Sequence, residues 1–179
     1  MNIVFNDLKP KIKSSVFVAD GAKIIGDVSI DEDSSIWFNC VLKGDLNFIK
    51  IGKRTNIQDL TTIHVWQKNI DENGKVLDDG FAVKIGDDVT IGHNCVIHGC
   101  HIKDRVLIGM NSTIMNGAII GEDSIVGAGT LVTQNKKFEP RSLILGNPAK
   151  FIKKLTEDQI KSIKNSALVY VDIKKEYQK

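Results

Sequence analysis

The sequence predicts an all-β fold, a parallel β-helix coiled from short strands and closed by one C-terminal α-helix. Three observations predict it. Aliphatic residues recur every six positions, a small or β-branched residue stands four places after most of them, and glycine often follows the aliphatic residue directly. The beat runs through Val18, Ile24, Ile30, Ile36 and Leu42, resumes at Ile51, Ile57 and Ile63 and again at Ile85, Ile91 and Ile97, then continues from Ile102 to Val132. An α-helix repeats about every 3.6 residues and a strand about every two, so neither explains this period. A β-sandwich would set turns every ~8–12 residues with no fixed phase. In a coil of short strands the aliphatic side chain points to the axis, and glycine relieves the turn. The small residue packs beside the corner, the place taken here by Cys40, Thr61, Cys95, Ser112 and Ala118.

Three six-residue steps make one triangular turn, so residues 51–63 and 85–97 form consecutive turns and Ile63 stacks on Ile97. The phase breaks near 45–50, 66–84 and 98–101, and the longest break holds an inserted loop, 66–82. Gly146-Asn147-Pro148-Ala149 punctuates the end of the coil. Beyond it, Thr156-Glu157-Asp158-Gln159 has the pattern of a capping box with an acidic first turn, and Ile160, Ile163, Ala167 and Val171 fall on one helical stripe. The expectation is a single domain in which residues 1–150 form the coil and a helix of about five turns within 151–179 packs back along it.

Composition bounds the class. With 179 residues and 42% hydrophobic content, the chain is long enough to bury a full core. No apolar run approaches the ~20 residues of a membrane span, and the first residues lack a signal-peptide layout, so a cytoplasmic protein is expected. The net charge of +2, with acids and bases intermixed along the chain, gives no case for nucleic acid or a membrane as partner. The three cysteines are an odd number; Cys40 and Cys95 occupy the inward small-residue slot, while the place of Cys100 stays open.

Three of the four histidines carry the chemistry. His64 and His98 each follow their isoleucine by one residue, which sets them at one corner on adjacent rungs, about 4.8 Å apart. That spacing suits two imidazoles converging on one zinc at roughly 2.0–2.1 Å each. His93 follows Ile91 by two residues and belongs to the preceding face, so it points away from the pair. One chain cannot close a three-histidine site. A neighbouring copy related by a threefold axis can, and the expectation is a homotrimer with metal sites between subunits. Zinc is the first choice of metal, and an all-imidazole set also suits iron or cobalt. His101 falls at a five-residue step and is read as structural.

These residues resemble the gamma-class carbonic anhydrases, members of the left-handed β-helix hexapeptide-repeat superfamily. The resemblance is carried by Lys43-Gly44-Asp45, by Asn56-Ile57-Gln58-Asp59 leading to His64, and by Gly92-His93-Asn94-Cys95-Val96-Ile97-His98-Gly99-Cys100, and it covers nearly the whole chain. It implies a left-handed coil, His64, His93 and His98 as metal ligands, and reversible hydration of carbon dioxide to bicarbonate. By the same resemblance Gln58, with Asn56 beside it, orients the reacting water, Asp45 and Asp59 join polar pairs that brace the site, and Tyr170 lines the pocket.

The chain departs from the family at three positions. Lys43 stands where most relatives have arginine, which keeps the charge and loses the planar fork. Leu46 replaces a proton-transferring glutamate and Asp172 a pocket asparagine of the well-studied active members. The acids of the insertion, Asp71, Glu72, Asp78 and Asp79, offer a replacement proton shuttle or a merely solvated loop. Two other functions fit the pattern. An acyltransferase would use His93 alone as general base, with Gly146-Asn147-Pro148-Ala149-Lys150 as a segment shared with coenzyme A-dependent members of the fold. A non-catalytic metal-binding subunit would keep the histidines and lose turnover, and a metal-dependent thioesterase has no residue arguing for it specifically.

Overall fold

The aliphatic beat becomes the axis of a three-sided prism. The structure, a computed structural model, describes residues 1–179. Most strands are two or three residues long and pair parallel with the strands one turn before and after. The first face stacks Val18, Ile36, Ile57, Ile91, Ile108, Val126 and Ile144 in register. The second stacks Ile24, Leu42, Ile63, Ile97, Ile114 and Val132. The third stacks Ile12, Ile30, Ile51, Ile85, Ile102, Ile120 and Phe138. Nearly all of these side chains are fully buried, and each contributes about 1.5–3 kcal/mol by leaving water. Cys40, Cys95 and Cys100 are all buried with them.

The corner between the third and first faces repeats one device. Asp33, Arg54, Asp88, Arg105, Asp123 and Arg141 all adopt positive φ there. An L residue in that region costs roughly 1–2 kcal/mol. Alternating charge offsets part of it: Arg54 donates to both oxygens of Asp88 at 2.6 and 2.7 Å, and Arg105 to both oxygens of Asp123 at 2.6 and 3.1 Å. The helix completes the ladder at both ends, through Lys174 to Asp33 at 3.0 Å and through Glu157 to Arg141.

The C-terminal helix, α1, spans Glu157–Tyr177, and its Thr156–Gln159 capping box forms as the sequence predicts. Ile163 and Ala167 are buried, Ile160 and Val171 half-buried, and the helix packs on the first face near Ile36 and Ile91. A strand, Lys150–Lys154, precedes it and folds back antiparallel on Ser142–Leu145, so β structure continues beyond residue 150 to the helix cap. No helix is long and apolar enough to cross a membrane.

Two of the phase breaks have definite structures. Near 45–50 the strand does not stop but runs from Val41 to Ile51, and its register against Lys23–Ile30 jumps from Gly26↔Gly44 to Val28↔Ile49. Residues 45–48 therefore bulge opposite Asp27 alone, which bends the strand and re-aims its side chains. The insertion expected as a loop is instead an antiparallel hairpin of Asn69–Ile70 and Val76–Asp78. Its turn forms because Asp71 Oδ1 accepts from the backbone of Asn73 and Lys75, both at 2.9 Å, with Gly74 at φ +80°. Its base is closed by backbone bonds between Trp66 and Phe81.

Candidate metal centre

Strand register builds the site from three consecutive rungs. Lys43 pairs with His64, and His64 with His98, at the end of the second face. The bulge brings Asp45 onto this column. Its Oδ2 lies 2.8 Å from Lys43 Nζ and its Oδ1 3.0 Å from His64 Nε2. Burial works to raise the Asp45 carboxyl, but hydrogen bonds from Lys43 and His64 prevail and hold it below its ordinary value.

The outer partners fix which nitrogen of each imidazole is free. A carboxylate can only accept, so His64 Nε2 carries the proton and Nδ1 keeps its lone pair. His98 donates from Nδ1 to Asn116 Oδ1, which leaves Nε2 as its free nitrogen. These two free nitrogens, His64 Nδ1 and His98 Nε2, face each other at 3.1 Å. Two nitrogens each ~2.0–2.1 Å from one tetrahedral ion stand about 3.3 Å apart. Two facing lone pairs call for a cation or a shared proton between them, so the donor set of this corner fits a metal.

The remaining predicted residues gather elsewhere. Asn56 and Gln58 lie buried on the first face, where Gln58 Nε2 donates to Asn56 Oδ1 at 3.2 Å and Asn56 Nδ2 donates to Thr90 Oγ1 at 2.9 Å. At the next corner His93 Nδ1 sits 2.8 Å from Asp59 Oδ2, and Asp59 Oδ1 accepts from the Phe38 amide at 3.1 Å. Tyr170, from the helix, meets Trp37 edge-on at 5.5 Å; burial raises its phenol, and nearby Asp59 adds to the effect. The predicted set thus divides into Lys43, Asp45, His64 and His98 at one corner and Asn56, Gln58, Asp59, His93 and Tyr170 on the first face and the corner beside it. Within one chain no three histidine, cysteine or carboxylate side chains converge as a metal-holding group.

Sequence reasoning missed Asn116 and Trp66. Asn116 stands two residues after Ile114, which stacks on Ile97; asking what each imidazole's second nitrogen bonds, one rung on, would have found it. Trp66 forms the base of the hairpin and its ring lies 6.4 Å from the His98 ring. Leu46 and Asp172 are exposed, and Asp172 pairs with Lys175 at 2.8 Å. Among the insertion's acids, Asp71 and Asp78 accept backbone bonds within the hairpin and Asp79 lies 3.8 Å from Lys68, so none of these three reaches the histidines.

The chain matches the bacterial transferase hexapeptide (six repeats) family over residues 99–134 and the hexapeptide repeat of succinyl-transferase over residues 82–106. It is 46% identical over 93% of its length to gamma carbonic anhydrase 2, mitochondrial, of Arabidopsis thaliana, and spans 58% of that relative. It is 41% identical to the carbonic anhydrase of Geobacillus kaustophilus, over 91% of this chain and 83% of that one. A Bacillus cereus crystal structure described as a candidate acetyltransferase superposes with a TM-score of 0.90 at 42% identity, over 99% of this chain and 96% of that one.

Proposed function

This chain belongs to the gamma carbonic anhydrase family, and from that premise we propose that it catalyses the metal-dependent, reversible hydration of carbon dioxide to bicarbonate at sites shared between subunits of a homotrimer. The observation that carries the proposal is the pair of free imidazole nitrogens, His64 Nδ1 and His98 Nε2, facing at 3.1 Å with their opposite nitrogens tied to Asp45 and Asn116. A divalent ion, zinc or alternatively iron or cobalt, supplies Lewis acidity that lets water lose a proton near neutral pH.

The chain's own residues do the rest. His64 and His98 of one subunit hold two coordination positions, and His93 of a second copy supplies the third, because its place on another face puts it out of reach in its own chain. Asp45 and Asn116 hold each ring in its ligating tautomer. Gln58 donates one amide N–H to Asn56, and its carbonyl oxygen accepts a hydrogen bond from the reacting water and orients it without ionising. Lys43 secures Asp45 and adds a positive charge where bicarbonate forms. Stopped-flow carbon dioxide hydration on metal-quantified trimer, zinc-loaded and anaerobically iron-loaded, tests this beside His64→Ala. Metal-dependent turnover lost in the variant supports it; no turnover at full occupancy overturns it.

One observation favours a second reading. The Bacillus cereus structure is described as a candidate acetyltransferase, and His93 with Asp59 at 2.8 Å forms the dyad a general base needs. Acetyl transfer that persists after chelation and is lost in His93→Ala would replace the first reading with this one.

A further inference from the structure

The three faces of the prism meet different surroundings. The helix covers the first, and the second lies between the two histidine corners that the proposed trimer must join. The third is met only along one edge, by the inserted segment. Its outward column runs in register through Lys11, Ser29, Lys50, Lys84, His101, Ile119 and Lys137, without a carboxylate. Six rungs at about 4.8 Å make a straight cationic track roughly 29 Å long. Lys13, Lys43, Lys53 and Lys174 pair with carboxylates, whereas the four lysines of this column form no ion pair, although Asp31 stands beside Lys11 and Lys50 at one end of it.

A cleft of about 380 Å³ opens midway along the track, between the third face and the inserted hairpin. Phe48, Phe81, Ala118 and Ile119 line it together with Lys84 and His101. Lys84 Nζ lies over the Phe48 ring at 5.7 Å. Its one carboxylate, Asp79, is taken up by Lys68 at 3.8 Å. Burial, with the neighbouring Lys103 and Lys84, holds His101 below its usual pKa against the opposing pull of Asp104.

We propose that the third face docks an acidic polypeptide that lays carboxylates along the lysine track and inserts one large apolar side chain into the cleft. The combination selects this partner. An apolar anchor flanked by complementary charge is how a protein segment gains affinity and register together. Single-stranded nucleic acid needs aromatic platforms repeated along its path, and the aromatic side chains here, Phe48 and Phe81, are confined to the one cleft. A flat membrane meets one side face of a threefold assembly, whereas a polypeptide can occupy all three. The exclusion of a membrane rests on the trimer proposed above; the lysine column and the cleft do not depend on the catalytic reading.

The test is fluorescence anisotropy of the metal-loaded protein with a labelled poly-glutamate peptide carrying one central phenylalanine. Lys50→Glu with Lys84→Glu is expected to weaken binding on the order of tenfold or more, while Lys161→Glu with Lys164→Glu, the same charge change on the exposed helix, leaves it within about twofold. Replacing the peptide's phenylalanine by alanine is expected to cost roughly fivefold. Equal losses from the two lysine pairs, no loss from the alanine peptide, or tighter binding of a poly-dT oligonucleotide or phosphatidylserine vesicles to the same face overturns the proposal.

Discussion

From Ile102 to Phe138 the coil advances without interruption, whereas between Val41 and Ile102 it is broken by a bulge, an insertion and a shortened step. The uninterrupted rungs stack aliphatic side chains and carry no residue assigned to the site except Asn116. The interrupted rungs carry the others apart from Tyr170 on the helix: the bulge aims Asp45, the insertion brings Trp66 beside His98, and His64 and His98 end the strands on either side of that insertion. The contrast teaches that regular repeats supply rigidity and that departures from the repeat present polar groups at chosen positions.

The largest effect should break this contrast from the interrupted side. His98→Ala is expected to abolish stoichiometric metal binding and bring hydration to the uncatalysed rate, while urea unfolding of the metal-free proteins differs by no more than about 0.5 kcal/mol, because a half-buried corner residue leaves no cavity. Elemental analysis, stopped-flow kinetics and denaturation on one preparation check all three. The converse substitution on a regular rung, Ile114→Ala, is expected to cost ~2–5 kcal/mol of stability by opening a cavity in the aliphatic stack. Metal content of the surviving folded fraction should stay stoichiometric; a stable variant that has lost its metal would erase the distinction.

A smaller effect sharpens it. Asn116→Leu removes the acceptor for His98 Nδ1 and should lower metal affinity roughly 10–100-fold, read by chelator competition, with Asn116→Asp restoring it. Equal affinity in both variants would make Asn116 a spectator. The smallest effect concerns the thiols on the inward side of the interrupted rungs. Burial pushes Cys40 and Cys95 up to about 11 and Cys100 up to about 12, from an ordinary value of 9.0. Since the unfolded chain releases these protons first, stability should decline as pH rises from near 9 toward these values, and iodoacetamide should label all three only after unfolding.

The fold was legible because one physical rule, an inward aliphatic residue every sixth position, holds over most of the chain and decides which side chains share a column. The pairing of His64 with His98 and the isolation of His93 followed from counting along it. Residues outside the rule were not legible: Asn116 bonds His98 across a corner, and the insertion's hairpin depends on Asp71 capping two backbone amides, a local geometry with no periodic signal. The lysine column also escaped notice. Its cations, separated along the chain by a turn or more, are intermixed with acids in sequence and sorted from them only by coiling.

The alternating Asp33, Arg54, Asp88, Arg105, Asp123 and Arg141 corner gives the coil a parity. Each member is stacked between neighbours of opposite sign, and the helix closes both ends with a charge of matching sign. Removing one complete turn sets like beside like at that corner, which opposes folding, whereas removing two adjacent turns keeps the alternation intact. By this arithmetic, the length of such a coil can change in pairs of turns more readily than in single ones.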